Sequence, residues 1–325
     1  MLILRDDELR DLLSVEETMS ALRAMLAEQS EGGISMPERV TADLDGGGFL
    51  RVMPAIHHRS GFMGFKFMDV VPGHGARYAI ALLDTQDGEL TALVDADYIT
   101  TVRTSATAAI ATDLFAPAEV EEMGLIGSSS QAEGLILAMA AVRKIPRVKV
   151  FSPNRERREQ FAGRMSAQTG ITVEPVESAS LAIRTANLVC GAYRATGEPS
   201  VLGADLRPDA HVNSLSSVRA AAREVADEVW GKCARVVVDH RQGVAASGDG
   251  ISAARTGAYD LERAPELWEV MLSGERRNGD GVLTMFKSVG AATQDLAVAA
   301  RAYELARVRG VGQDVPDFPA LRKHN

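Results

Sequence analysis

Two cysteines in 325 residues, Cys190 and Cys233, are too few and too far apart to form a disulfide scaffold. With no C-x-x-C pair and no His/Cys cluster at zinc spacing, the sequence gives no reason to expect a metal site. Basic charge is in short supply: 35 Lys and Arg stand against 44 Asp and Glu, a net charge of −9. That balance argues against nucleic acid or an anionic membrane as a main partner. No stretch approaches the roughly 18 consecutive apolar residues of a membrane span. The first thirteen residues carry Arg5, Asp6, Asp7 and Glu8 among their leucines, with no apolar signal-peptide core. No internal repeat and no low-complexity tract is visible. The expectation is a cytoplasmic protein in a reducing setting.

What is present suits a soluble globular chain, 46% hydrophobic and 24% charged, long enough for two domains with a core each. Ser14-Val15-Glu16-Glu17 reads as a capping box. Val15, Met19, Leu22 and Leu26 then recur at helical spacing, predicting an amphipathic helix to about residue 29 that Gly32 and Gly33 stop. From 37 to 94 the pattern is one of short strands. Residues 79–83 and 90–94 flank Asp84-Thr85-Gln86-Asp87-Gly88, a hairpin signal. A Thr- and Ala-rich helix is expected over 99–114.

After Pro117 the grammar is β–α–β. Strands are expected at 124–126, 148–151, 171–176, 188–190, 211–215 and 236–239, with helices at 131–142, 155–168 and near 181–186. Such alternation predicts a parallel sheet covered on both faces. An alanine-rich helix over 291–308 and a polar tail complete the chain.

The first of these strands runs into Gly124-Leu125-Ile126-Gly127-Ser128-Ser129-Ser130-Gln131-Ala132. In a dinucleotide loop of G-x-G-x-x-G/A form, the first glycine allows the turn, the second admits the pyrophosphate and the third keeps the helix close to the strand. Gly127 and Ala132 fit the first and third roles. Ser129 stands at the second, where a side chain crowds a phosphate. The next strand exits into Ser152-Pro153-Asn154-Arg155-Glu156-Arg157-Arg158 with no acidic residue at its end. An acidic residue there would bind a ribose 2′-hydroxyl, whereas arginine accommodates a 2′-phosphate, so NADP(H) is favoured over NAD(H). The plainer alternative is that these arginines are the solvated first turns of a helix.

Several ordered motifs make the chain resemble the ornithine cyclodeaminase/mu-crystallin family over nearly its whole length. They are Met53-Pro54-Ala55, Gly64-Phe65-Lys66, Pro72-Gly73, the hairpin over 82–95 and Ile99-Thr100 with Arg103-Thr104, followed by Val238-Asp239, Gly248-Asp249 and Phe286-Lys287-Ser288-Val289-Gly290 with Asp295. The resemblance implies an α/β fold: a Rossmann dinucleotide-binding domain over 117–290, inserted into a smaller α+β substrate-binding and dimerisation domain over 1–116 and 291–325. It implies NAD(P)-linked chemistry at the α-carbon of amino or imino acids. Arg39, Lys66 and Arg103 would grip the substrate carboxylate, since a guanidinium offers paired hydrogen bonds and Lys a point charge. Lys66 would also act catalytically, polarising or protonating the reacting nitrogen. Thr104, Gly127, Ser128, Ser129, Ser130, Gln131, Ala132, Ser152, Asn154, Arg155, Ser214 and Lys287 would contact the cofactor. His57, His58, His74, Asp69 and Asp95 read as structural residues.

The sequence departs from the family in the cofactor half. Besides Ser129, the turn after 188–190 reads Gly191-Ala192-Tyr193-Arg194-Ala195 where the family has a threonine-rich turn. Val218 stands where cyclodeaminases carry the aspartate that takes a proton from the substrate amine. Val cannot do acid–base work, which points away from cyclodeamination and toward reduction of an imino or keto acid. The alternatives are a ligand-binding member with little catalysis, or an amino-acid dehydrogenase or cyclodeaminase. A homodimer through the N-terminal domain is expected, because strands at 80–83 and 90–94 are too apolar for a free edge.

Overall fold

The computed structural model describes residues 1–320 apart from Arg194, Thr196, 216–218, Asp280 and Asp317. Two compact units emerge, Met1–Arg103 with Ala291–Asn325, and Thr104–Gly290.

The first unit opens with strand β1 (Leu2–Leu4) and helices α1 (Asp6–Leu12) and α2 (Val15–Ser30). The Ser14 hydroxyl caps α2 by accepting from the Glu17 amide at 3.1 Å. There follow β2 (Ile34–Ser35), β3 (Val40–Leu44), β4 (Gly48–His57), β5 (Phe62–Val71), β6 (Gly75–Asp84) and β7 (Leu90–Asp95). Helix α3 (Asp97–Phe115) begins in this unit, and the division falls within it.

Strands β4, β5 and β6 are ten residues each rather than short. Gly64 and Pro54 look like breaks in the sequence but are tolerated in the extended chain. Pro54 lies on β4 between the stretches paired to β3 and β2, so its missing N–H breaks no ladder bond on that edge. Gly64 is needed because a Cβ there would collide with the Ala81 carbonyl.

The strand order is β15-β1-β7-β6-β5-β4-β2, with β3 also on β4, where β15 (Gln313–Asp314) comes from the chain's end. The hairpin strands 80–83 and 90–94 are therefore interior, not an exposed edge: β6 lies between β5 and β7, and β7 between β6 and β1. Ile80, Leu82, Ala92 and Val94 are fully buried. One sheet face packs against the returning helix Ala292–Arg309, which also contacts α2. Its small alanines let the backbone approach closely, and the helix buries residues all round at its N-terminal half.

The second unit alternates β8 (Met123–Ile126), α4 (Ser130–Val142), β9 (Arg147–Phe151), α5 (Arg155–Thr169), β10 (Thr172–Pro175), α6 (Ala179–Ile183), β11 (Leu188–Gly191) and β12 (His211–Ser214). Then come α7 (Asp227–Lys232), β13 (Arg235–Val238), α8 (Arg241–Ala245), α9 (Gly248–Thr256), α10 (Leu267–Ser273) and β14 (Thr284–Lys287). The sheet order is β10-β9-β8-β11-β12-β14-β13, and every pairing is parallel. This is the doubly wound α/β arrangement, with its order reversing between β8 and β11. Strand β14 is absent from the sequence reading because its four residues, Thr284-Met285-Phe286-Lys287, carry a lysine that is wholly buried.

Candidate active site

Within the first unit, register and helix phase bring three charges together. Lys66 lies on β5 and points to the face that the returning helix covers, while Arg103 projects from α3. Asp295, in the first turn of the alanine-rich helix, receives both. Lys66 Nζ and Arg103 Nε each donate to Asp295 Oδ1 at 3.0 Å. Lys66 also donates to Thr100 Oγ1 at 2.6 Å and stands 5.1 Å from the centre of the Tyr78 ring. Arg103 Nη1 donates to Gln294 Oε1 at 2.9 Å. All three charged side chains are buried, and Asp295 Oδ2 has no hydrogen-bond partner.

Burial, aided by the Arg103 charge, pulls the Lys66 ammonium down to about 8 against the opposing pull of Asp295. For Asp295, burial works to raise the carboxyl, but Arg103 and Lys66 outweigh it and hold it below its ordinary value. The cluster carries two positive charges and one negative. Its net charge of about +1 suits a monoanionic carboxylate. Arg39 is half-buried just before β3, and like Arg103 it has further polar partners.

In the second unit, the loop leaving β8 keeps the first and third small-residue positions of a dinucleotide loop, with Ser129 at the second. Gly127 adopts φ +122°, and a Cβ there would collide with the Ala192 carbonyl, so only glycine fits. Its amide donates to Phe151 O at 2.7 Å. Ser128 Oγ pairs with Ser152 Oγ at 2.8 Å, tying the ends of β8 and β9. Ser129 is the N-cap of α4 at φ −93°, an ordinary extended conformation, and its side chain makes no capping bond. Ser130 opens the helix and is exposed, Gln131 Nε2 donates to Ser105 Oγ at 2.8 Å, and Ala132 is buried against the sheet. Thr104 is half-buried on α3. This cradle, at the N-terminus of a 13-residue helix, fits a pyrophosphate.

At the end of β9, the Asn154 side chain caps α5 by accepting from the Arg157 amide. Arg155 is exposed and paired with Glu159, whereas Arg158 is buried and donates to Ser152 O and Glu177. Ser214 and Lys287 are wholly buried, and their side chains bond to each other and to buried carboxylates. Lys287 Nζ donates to Asp249 Oδ2 at 2.5 Å and to Ser214 Oγ at 2.8 Å. Ser214 Oγ in turn donates to Glu224 Oε2.

Sequence reading did not single out Glu224 as a site residue, nor Thr100 or Gln294, and it met Asp295 only as part of a motif. The available signal was an acidic residue at the start of an otherwise apolar helix, where the helix dipole favours it and burial demands a cationic partner. His58 pairs with Ser35, and buried His57, lowered by desolvation, bonds the Thr293 backbone. Asp95 accepts from the Asp97 amide, and Asp69 approaches Arg77. Val218 and Arg194 lie outside the described residues. Among the described residues no helix is long and apolar enough to cross a membrane, and no acidic, His or Cys group could hold a metal.

Comparison with known proteins extends this picture over the whole chain. A Delta(1)-pyrroline-2-carboxylate reductase of Bacillus cereus is 28% identical over 325 residues, covering 97% of this chain and 99% of its own. The structure of Thermococcus litoralis Delta(1)-pyrroline-2-carboxylate reductase, in complex with NADH and L-proline, superposes with a TM-score of 0.92 at 31% identity. It covers 97% of this chain and 100% of that one. An archaeal alanine dehydrogenase dimer with bound NAD gives a TM-score of 0.90 at 26% identity, covering 98% and 99%. The sequence model of one family matches residues 1–310, and the chain belongs to it: the ornithine cyclodeaminase/mu-crystallin family.

Proposed function

We propose that the protein is an NAD(P)H-dependent reductase of a small imino acid, a cyclic imine or ketimine bearing one carboxylate. The observation that carries this reading is the buried Lys66–Asp295–Arg103 cluster with one positive charge in excess. Arg103 and Lys66, with Arg39, hold the substrate carboxylate. Lys66, drawn down to about 8, holds its proton at neutral pH yet can release it toward the substrate nitrogen. The loop from Gly127 to Ser130 and the Ser128–Ser152 pair would hold the dinucleotide, which when bound in reduced form supplies the hydride. The relatives named for pyrroline carboxylate support the substrate class. Val218, in place of an aspartate base, favours reduction over release of hydride from an ammonium. The alanine dehydrogenase likeness supports amino-acid oxidation as a second reading.

The lack of an acidic residue directly at the end of β9, together with exposed Arg155 and Arg157, supports NADP(H) over NAD(H). The outer face of the first unit's sheet, not the interior hairpin, supports a homodimer. Val40, Leu44, Leu50 and Phe65 are exposed there on one side of β3, β4 and β5.

A panel of cyclic imino acids, and of α-keto acids with amines, assayed by loss of reduced-nicotinamide absorbance, tests the reading. Turnover of a cyclic imino acid is the expected result. No turnover, with no thermal shift from either reduced dinucleotide, would sink it in favour of a ligand-binding protein.

A further inference from the structure

The strand order of the second unit reverses between β8 and β11, and in such sheets a dinucleotide crosses the carboxyl ends of the strands at that point. The turns after those two strands interlock. The Ala192 amide donates to Ile126 O at 2.8 Å, and the Ala192 carbonyl fills the space a Cβ of Gly127 would need. Behind the second turn stands Glu224. Its Oε1 occupies the space beside Gly191, where any Cβ would collide with it.

The backbone of Glu224 is fixed on both sides. Its amide donates to Asp249 Oδ1 at 2.8 Å, and its carbonyl accepts from Val201 N at 3.0 Å and Tyr193 OH at 3.4 Å. Its side chain is wholly buried, with Oε2 served by Ser214 while Oε1 has no partner. Such a carboxylate, packed against a glycine turn at the switch point, is tied to the crevice by direct contact.

We infer that Glu224 is a positioning residue of the dinucleotide crevice, holding the 191–193 turn against the Gly127 loop, and that its charge sets whether the crevice prefers the oxidised or the reduced nicotinamide. The inference rests on the dinucleotide reading above. In this fold the loop after β8 takes the pyrophosphate and the end of β9 the adenine-side ribose, which leaves β11 and β12 to the nicotinamide half. Glu224 touches the ends of both, through Gly191 and Ser214. An oxidised nicotinamide carries a positive charge and a reduced one does not, so an ionised Glu224 favours the former and a protonated one removes that preference.

Lys287 on β14 and Asp249 on α9 act on its protonation together with the Ser214 hydroxyl on β12, and the titratable Tyr193 after β11 and Cys190 on β11 also face it. Burial raises the carboxyl to about 7, Lys287 opposing and Asp249 assisting. The switch therefore falls within the working range.

Equilibrium dissociation constants for NADPH, NADP+, NADH and NAD+, measured without substrate from about pH 6 to about pH 8.5, test this. For wild type, the preference for the oxidised over the reduced form should rise about three- to tenfold with pH, with a midpoint near 7. By linkage, calorimetry near neutrality in buffers of different ionisation enthalpy should register proton release when the oxidised form binds. Glu224→Gln should bind both forms with a pH-independent ratio. A flat ratio in the wild type, or an unchanged pH dependence in Glu224→Gln, overturns the inference while leaving the dinucleotide reading intact. Failure of wild type to bind any dinucleotide overturns both. The wild-type titration and proton count stand even if the variant does not fold.

Discussion

Gly127 and Ser129 differ in what they need from their backbone. Gly127 has positive φ and no room for a methyl group, so Gly127→Ala should abolish dinucleotide binding and lower the melting temperature. Ser129 is at φ −93°, so glycine's freedom is not required there, and only crowding of a phosphate remains. Ser129→Gly should then tighten NADPH binding by about 0.5–1.5 kcal/mol. It should also cost about 0.5–1 kcal/mol of stability in the free protein through glycine's larger entropy loss. Fluorescence titration and denaturant melts measure the two separately, and weaker binding by the glycine variant would mean that the loop is adapted to serine.

The folded Lys66 ammonium titrates near 8, below its unfolded value, so between those values the unfolded chain holds more protons and this group's contribution to stability rises with pH. The role proposed for Lys66 needs the proton, so kcat/KM for imine reduction should fall as pH rises through about 8. Arg103→Gln removes a repulsive neighbour and should move that alkaline limb upward while weakening the substrate carboxylate by about 2–4 kcal/mol. NADPH affinity should be nearly unchanged. A pH–rate profile with an unmoved limb would separate Lys66 from the observed ionisation.

At the scale of elements, the helix Ala292–Arg309 is both the best read and the most incompletely read part of the chain. Its alanine content and spacing announce a helix, and its return to the first unit follows from the motifs at either end. What the sequence could not disclose is that Asp295 within it pairs with two cations about two hundred positions earlier, because such pairing depends on a tertiary register with no local signal. Asp295→Asn leaves two buried cations without their shared anion and should cost about 3–5 kcal/mol, measurable by denaturant unfolding.

The β–α–β half was legible because each short apolar strand is bounded by turn residues. The β4–β6 sheet was legible only in part, since Pro54 and Gly64 look like interruptions until the pairing on either side is known. Ser214, Asp249 and Lys287 stood out in the sequence, but their burial beside Glu224 did not, because charged residues ordinarily mark surface and only the fold shows them turned inward. At the N-terminus of α5, Arg155 is exposed and paired with the exposed Glu159, so it can turn toward a phosphate. Arg155→Ala should therefore weaken NADPH more than NADH, and equal losses would count against a 2′-phosphate role.

For the molecule as a whole, the outer face of the first unit's sheet is where the proposed dimer would form. Antiparallel register puts residues opposite one another on the same side, so Ala42 and Leu50, and Pro54 and Phe65, share a face with Val40 and Leu44. Val40 is 66% and Leu44 50% exposed, beside Leu50 at 48% and Phe65 at 38%. Single exposed apolar residues are common, but four on one side of three adjacent strands form a patch of the kind that monomers rarely present to water. A second copy offers the same apolar face, and a two-fold axis would let the two faces cover each other. The protein is therefore expected to scatter light as a dimer at micromolar concentration. The contact is apolar, so added salt should not dissociate it. Leu50→Asp with Phe65→Asp places charges in the middle of the patch and should yield a monomer. Because those residues belong to the first unit, the monomer should still bind NADPH through the second. A wild-type monomer, or an intact dimer in the double variant, would show that this face is not where two copies meet.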